Sequence, residues 1–298
     1  MPFIDLSKKL WQWIALLVLA FVWGSSFILM KMGLRSFNYM QVAAFRIFIS
    51  FIVLIPLYPR AIKKITKKNI THIVIAGYAG VFFPAFLFTK AQTEINSSLA
   101  GMINSLVPFF TLILGVLFYK NRPGKNQFIG IFLGLIGAFG LISNGNLLES
   151  FSSINYYALF VVAATIFYGI NANEVRFKLS GLSGIEVTTL SFLFTGPPAG
   201  IYLFLSDFSY ALSTPDWLLN FSLIAFLAIV GSVLSLFLFN NLVHHHSALF
   251  ATSVTYIIPF FAILWGVLDG EKITYVHLIS MALALIGIWL VNKKNGKK

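Results

Sequence analysis

The sequence predicts an all-α membrane protein of ten transmembrane helices, arranged as two inverted five-helix repeats. Three observations carry this expectation. First, 58% of the 298 residues are hydrophobic and only 10% are charged, whereas soluble domains carry about 25% charged residues. With a mean hydropathy of +0.87, the chain has too few polar groups to cover itself in water, so lipid must solvate much of it. Second, mostly apolar stretches of about 20 residues, the length that crosses a bilayer as a helix, recur ten times along the chain. Third, Pro108-Phe109-Phe110 with Gly115-Val116-Leu117 returns 151 residues later as Pro259-Phe260-Phe261 with Gly266-Val267-Leu268. The apolar pattern is kept while the flanking charge reverses, from Lys120, Arg122 and Lys125 to Asp269 and Glu271. That reversal is expected of two halves inserted in opposite directions.

The first stretch, 11–33, follows Lys8 and Lys9. It is too long for a signal-peptide core and lacks a small-residue cleavage site, so it reads as a retained helix. Stretches 39–58, 70–91, 97–119 and 126–144 follow, and these five make a first repeat over residues 1–144. The second repeat, residues 145–298, holds 155–175, 185–205, 217–242, 247–268 and 274–292. The connections are short, and none has the length or polarity of a soluble domain. Ten crossings leave both termini on one side. Placing that side in the cytoplasm puts 16 of the 21 Lys and Arg residues there, as the positive-inside rule requires. Glu94, Glu149, Asp207, Asp216, Asp269 and Glu271 then fall on the other face. Five spans per half is an odd number, so the second half must be inverted. Two further echoes keep the order of the first: Trp23-Gly24 with Tyr168-Gly169 and Lys31 with Arg176 at an offset of 145, and Leu135-Ile136-Gly137 with Leu285-Ile286-Gly287 at 150.

Composition also excludes functions. The net charge of +12 lies in short basic clusters between apolar stretches, where it orients the chain and meets anionic membrane lipids rather than nucleic acid. Cysteine is absent, which removes disulfides and thiolate zinc sites. No GxxxxGK[ST], GxSxG or HExxH pattern occurs, so neither nucleotide-driven transport nor an intramembrane enzyme is expected, and no cofactor is implied. His244, His245 and His246 are adjacent, cannot converge on one ion from a helix and have no acid beside them, so they read as an interfacial polar cluster and not as a metal site.

The candidate functional residues are polar or aromatic positions inside the apolar stretches. Arg46 lies roughly 12 Å into the second stretch at 1.5 Å per residue. A guanidinium at that depth is expensive unless it faces a cavity, a carboxylate or free carbonyls. It fits recognition of a substrate carboxylate or phosphate, or else a structural arginine; Lys31 and Lys90 at the outer ends either make the outer half of a cavity positive together with Arg46 or snorkel at the interface, with Lys90 paired to Glu94. Trp23 and Tyr168 stand near the midplane of repeat-related stretches, where carriers bind solutes or where helices simply pack. Asn104, Asn171, Thr255 and Tyr256 are polar positions inside stretches four, six and nine, as are Ser105, Asn173 and Ser253. Asn104 and Thr255 each precede a proline by four residues, Pro108 and Pro259, which suggests a matched pair of bent helices. Pro197 and Pro198, between Gly196 and Gly200, should break or kink stretch seven. Gly130 and Gly134 form a GxxxG that fits close packing within the fold, with a homodimer as the alternative.

Several of these pieces resemble the EamA-type family of the drug/metabolite transporter superfamily. They are Trp23-Gly24-Ser25-Ser26-Phe27 with Lys31-Met32-Gly33, Ala43-Ala44-Phe45-Arg46, Pro108, Gln127 with Gly130 and Gly137, and in the second half Pro259, Gly266, Glu271 and Gly287. The resemblance covers nearly the whole chain and adds Ser26 to the candidate substrate-binding residues. It implies a ten-helix inverted-repeat exporter or permease for small metabolites, in a bacterial inner membrane. The missing nucleotide loop makes the transport secondary, and the cations Arg46, Lys31 and Lys90 point to amino acids or related zwitterionic or anionic solutes; a non-transporting membrane sensor is the remaining class. The alternatives are a phosphate-ester or nucleotide-sugar antiporter and multidrug efflux. A coupling ion stays open. One departure stands out: the family usually has Glu just after span four, where this chain has Lys120 and Asn121.

Overall fold

The computed structural model describes residues 8–119, 125–142, 155–245 and 248–292, and every regular element among them is helical. In chain order the α-helices are α1 (Lys9–Gly33), α2 (Tyr39–Val53), α3 (Tyr58–Ala61), α4 (Ile70–Gly77), α5 (Phe83–Ala91), α6 (Ser97–Asn104), α7 (Val107–Tyr119), α8 (Lys125–Ile142) and α9 (Tyr156–Phe177). They continue with α10 (Gly184–Phe204), α11 (Ser209–Ser213), α12 (Trp217–Phe226), α13 (Ser235–His245), α14 (Ala248–Thr252), α15 (Ile258–Leu268) and α16 (Tyr275–Asn292). The described part of each predicted apolar stretch is mainly helical. Among the described residues, seven helical segments are long and apolar enough to cross a membrane, or eight if the bent segment containing α2 is one span. Their outward faces carry apolar side chains such as Phe21, Phe118, Phe204 and Phe260, all exposed, as lipid contact requires. The protein is therefore an integral, multi-pass membrane protein.

Local sequence sets the helix ends. Asn38 and Gln41 form a capping box at the start of α2, and Ser183 and Glu186 form another at the start of α10. In each, a side-chain oxygen accepts from the third helical N–H while the reciprocal side chain takes the cap's own N–H. The prediction for stretch two needs correcting. Its helix stops at Val53 and the chain turns by 45° into Ile55–Lys64. Pro56 has no N–H to continue the ladder, and the basic residues behind it leave the bundle.

In stretch seven the prolines do not break the helix. α10 runs unbroken through Pro197 and Pro198. The surrounding Gly196 and Gly200 let it lie against Phe51 and Phe48 of α2, and this packing holds the helix across the lost hydrogen bonds. Pro108 and Pro259 lie in the first turns of α7 and α15, and the interruptions fall just before them, between α6 and α7 and in the 3-10 turn Ser253–Tyr256.

The main helix pairings recur when the two halves are exchanged. α1 packs on α15 as α9 packs on α7, while α2 meets α10 and α8 meets α16. Gly130 and Gly134 face Gly287 within the same chain. Several buried hydroxyls satisfy themselves on carbonyls one turn back, as Thr188 does on Gly184 and Ser191 on Val187, which removes the cost of an unpaired donor in an apolar core. Lys120–Gly124, the acid Glu149, His246 and the 144/145 repeat boundary lie outside the described residues.

Candidate functional site

A cavity of about 100 Å³ lies inside the bundle, walled by helices of both halves. That is room for several water molecules or one small solute. Trp23, Ser26, Arg46, Asn104, Tyr168, Asn171 and Thr255 all line it. Tyr256 does not; it ends the 3-10 turn before α15. Asn173 is also elsewhere, its amide donating to the carbonyls of Thr111 and Gly169.

The lining obeys the internal repeat. Trp23 and Tyr168, and Ser26 and Asn171, are related by the 145 offset, while Asn104 and Thr255 are related by 151. Three further relationships emerge only from the structure. Phe88 and Phe239 line the cavity 151 residues apart. Trp23 sits 5.3 Å from Phe239 and Tyr168 sits 5.9 Å from Phe88, ring centre to ring centre. Gly80 and Gly231, again 151 apart, sit in π-helical turns, Tyr78–Phe82 and Leu227–Leu234. A Cβ at Gly80 would collide with the Asn171 carboxamide, and one at Gly231 would come within 3.3 Å of the Ser26 hydroxyl. Each wide turn therefore brings bare backbone to the repeat-related polar residue. The 151 offset alone would have pointed to both glycines and both phenylalanines, but a single apolar residue or glycine is too common a match to notice.

Arg46 breaks the symmetry, since its counterpart at the 145 offset is Ser191. Its Nη1 lies 3.0 Å from the Met30 thioether, a weak acceptor, and its Nε is buried without a hydrogen-bond partner. The Asn104 amide oxygen is likewise buried and unpartnered. No carboxylate lines the cavity among the described residues. Lys31 and Lys90 are engaged elsewhere, and the expected Lys90–Glu94 pairing gives way to a different one: the Lys90 ammonium sits over the rings of Tyr39 and Tyr157, at 4.6 and 5.5 Å.

Two charged clusters flank the cavity. At the far end of α1, Glu271 Oε1 accepts from the Ser97 amide and hydroxyl at 2.9 and 2.8 Å, and Oε2 accepts from those of Ser98 at 3.0 and 2.6 Å. The Lys31 ammonium bridges Glu271 and Asp269 at 2.7 Å each, and Arg35 reaches Asp269 at 3.2 Å. Glu271 thus caps the start of α6 while tying it to α1. Burial pushes its carboxyl up, but the bonds from Lys31, Ser98 and Ser97 prevail and hold it at about 2. At the opposite end of the bundle, the buried Glu174 carboxylate accepts from the Tyr119 hydroxyl and pairs with His72 Nδ1 at 2.7 Å. Sequence spacing shows neither cluster, because the partners are 55 to 240 residues apart.

A two-fold bundle of apolar helices around a small, partly polar cavity with one undercompensated cation has the form of a membrane carrier. The sequence matches the model of the EamA-like transporter family over residues 10–143 and again over 155–293. The chain belongs to this family. It is 25% identical over 287 residues to the "Uncharacterized inner membrane transporter YedA" of Escherichia coli (strain K12), covering 93% of this chain and 89% of that one. It is 26% identical to an "Uncharacterized transporter" of Archaeoglobus fulgidus, over 95% and 99% of the two chains. At 21% identity, over 97% and 95%, it resembles the "Probable terminal-alkyne amino-acid exporter" of Streptantibioticus cattleyicolor. A solved crystal structure shares the fold with a TM-score of 0.65 at 14% identity, over 96% of this chain and 98% of that one. The family and these relatives carry the names of transporters, not enzymes.

Proposed function

We propose that this chain is a secondary transporter, exporter-like, for small anionic or zwitterionic metabolites. It works as two inverted five-helix repeats, 1–144 and 145–298, that make ten crossings with both termini in the cytoplasm of a bacterial inner membrane. The observation that carries the reading is Arg46: a partly buried arginine whose Nε is fully buried and unpartnered, with no counterion among the described residues, in a cavity built from repeat-related pairs of both halves. A solute carboxylate would complete its hydrogen bonds as a bidentate partner. Rocking of one repeat against the other about this cavity would expose it alternately to each side. The name of the amino-acid exporter among the relatives supports the solute class. A phosphate-ester or nucleotide-sugar antiporter fits less well, since such solutes call for several converging cations and Lys31 and Lys90 are held outside the cavity.

The test is uptake and efflux of a labelled panel of amino acids and small organic acids in proteoliposomes, with Arg46→Ala alongside. Hydrogen bonds to a charged group are worth about 1.5–3 kcal/mol, so flux of the transported solutes should fall at least ~10-fold in the variant. Equal flux in both proteins would remove Arg46 from the site. For the topology, Asn121→Cys and Gly270→Cys on this cysteine-free chain should be labelled by an impermeant maleimide from opposite sides of the membrane. Labelling from one side only would rule out the inverted arrangement.

A further inference from the structure

Resting on the transporter part of that reading and narrowing its solute class to the anionic side, we infer that the cavity selects small monocarboxylates with an uncharged, apolar body, and discriminates against both zwitterions and dianions. The argument is a count of charges and partners. Arg46 is the one ionised side chain among the described residues that line the cavity, and the repeat places neutral Ser191 where a second charge could stand. One buried cation with an unpartnered Nε asks for one anionic group. A second negative charge on the solute would be left unpaired in an apolar space, at the cost of desolvation.

An ammonium group fares no better. It would need a carboxylate, and the nearby carboxylates are occupied: Asp269 and Glu271 by Lys31, Glu174 by Tyr119 and His72. Within the cavity it would meet only neutral side-chain oxygens, among them those of Ser26, Asn104, Tyr168, Asn171 and Thr255, beside a guanidinium of like charge. A hydroxyl suffers neither penalty, and the unpartnered Asn104 amide oxygen can accept from it. The remaining wall, with Phe27, Phe88, Phe192, Phe239 and Ile47, suits a branched or linear hydrocarbon body. Specificity would therefore come from groups left unpaired by the wrong solute, the form of selection that polar sites enforce most strongly.

Valine and 2-hydroxy-3-methylbutanoate make the comparison direct, since they share carboxylate and side chain and differ by an ammonium in place of a hydroxyl. Proteoliposomes holding the full chain would be assayed with each labelled compound, and with the dianion isopropylmalonate, against protein-free vesicles at pH 7.5. The hydroxy acid should move at least tenfold faster than valine or the dianion, and Arg46→Gln should bring it down to the vesicle background. The detergent-solubilised protein should also melt higher with the hydroxy acid than with valine, and Arg46→Gln should abolish that difference. Valine moving as fast as the hydroxy acid, with both dependent on Arg46, would overturn the inference and leave the transporter reading standing. Hydroxy-acid flux undiminished in Arg46→Gln, or no flux of any solute by a correctly folded protein, would overturn both.

Discussion

Replacing Glu271 by alanine is expected to lower the melting temperature of the detergent-solubilised protein by about 6–12 °C. This carboxylate, with only 2% of its side chain exposed, accepts four hydrogen bonds at the start of α6 and the Lys31 ammonium. Alanine strands the Ser97 and Ser98 donors and leaves Lys31 with Asp269 alone. Breaking such a pair costs about 3 kcal/mol, the low end for buried pairs, and each kcal/mol is worth roughly 2–4 °C in a chain of this size.

The same residue makes the stability depend on pH. Its carboxyl is lowered from 4.5 to about 2 in the folded protein. The folded state thus binds the proton more weakly than the unfolded state. The stabilisation is complete above pH 4.5 and is lost as the pH falls toward 2. A shift of this size amounts to at most about 3 kcal/mol, reduced to roughly 1–2 kcal/mol by solvent screening at this loop position. Glu271→Gln keeps an acceptor and removes the charge, so its melting curve should flatten across that acid range. An acid limb identical to that of the unsubstituted protein would assign the loss to other groups.

Gly24→Val and Gly169→Val should each cost 5 °C or more, and by similar amounts. These glycines are repeat-related contacts. A Cβ at Gly24 would lie 2.5 Å from Phe261 Cβ and 3.0 Å from the Ile258 carbonyl oxygen, and one at Gly169 would lie 3.0 Å from the Phe110 and Thr111 backbone. Phe110 and Phe261 are the same position of the repeated Pro-Phe-Phe, so each half's glycine receives the other half's motif. Backbone cannot move aside as a side-chain tip can, and overpacking of this kind costs about 1–3 kcal/mol or more. Gly181→Ala is the control: its Cβ would meet nothing within 4 Å, and its melting point should stay within about a degree. Thermal scans of the three variants by size-exclusion fluorescence decide the matter, and unchanged melting in both valine variants would mean that α1–α15 and α9–α7 do not approach this closely.

Much of the architecture was legible beforehand. The apolar stretches fell on helices because burial in lipid imposes a length and a composition that any such sequence must display. The errors came where a single residue acts through its surroundings. Pro56 ended a helix that hydropathy extends to residue 58, because the solvent scale is blind to a missing N–H. Pro197 and Pro198 failed to break α10, because Gly196 and Gly200 seat it against Phe48 and Phe51. For the cavity, the residues that looked anomalous in an apolar setting, Arg46 and Asn104 above all, were visible one by one. Gly80, Gly231, Phe88 and Phe239 were not, since they are ordinary in a membrane helix until the π turns and the repeat bring them to the same wall.

By itself the sequence determined the solvent, the duplication and its two offsets, and the presence of one cation deep in an apolar stretch. These are properties of composition and order along the chain, and they need no contact to be read. Only the tertiary structure decided that Lys31 is spent on Asp269 and Glu271, that Lys90 rests on Tyr39 and Tyr157, and that Arg46 has no counterion among the described residues. The reason is physical. A buried charge is defined by its partners, and partners up to 240 residues away in sequence meet only when the two halves close on each other.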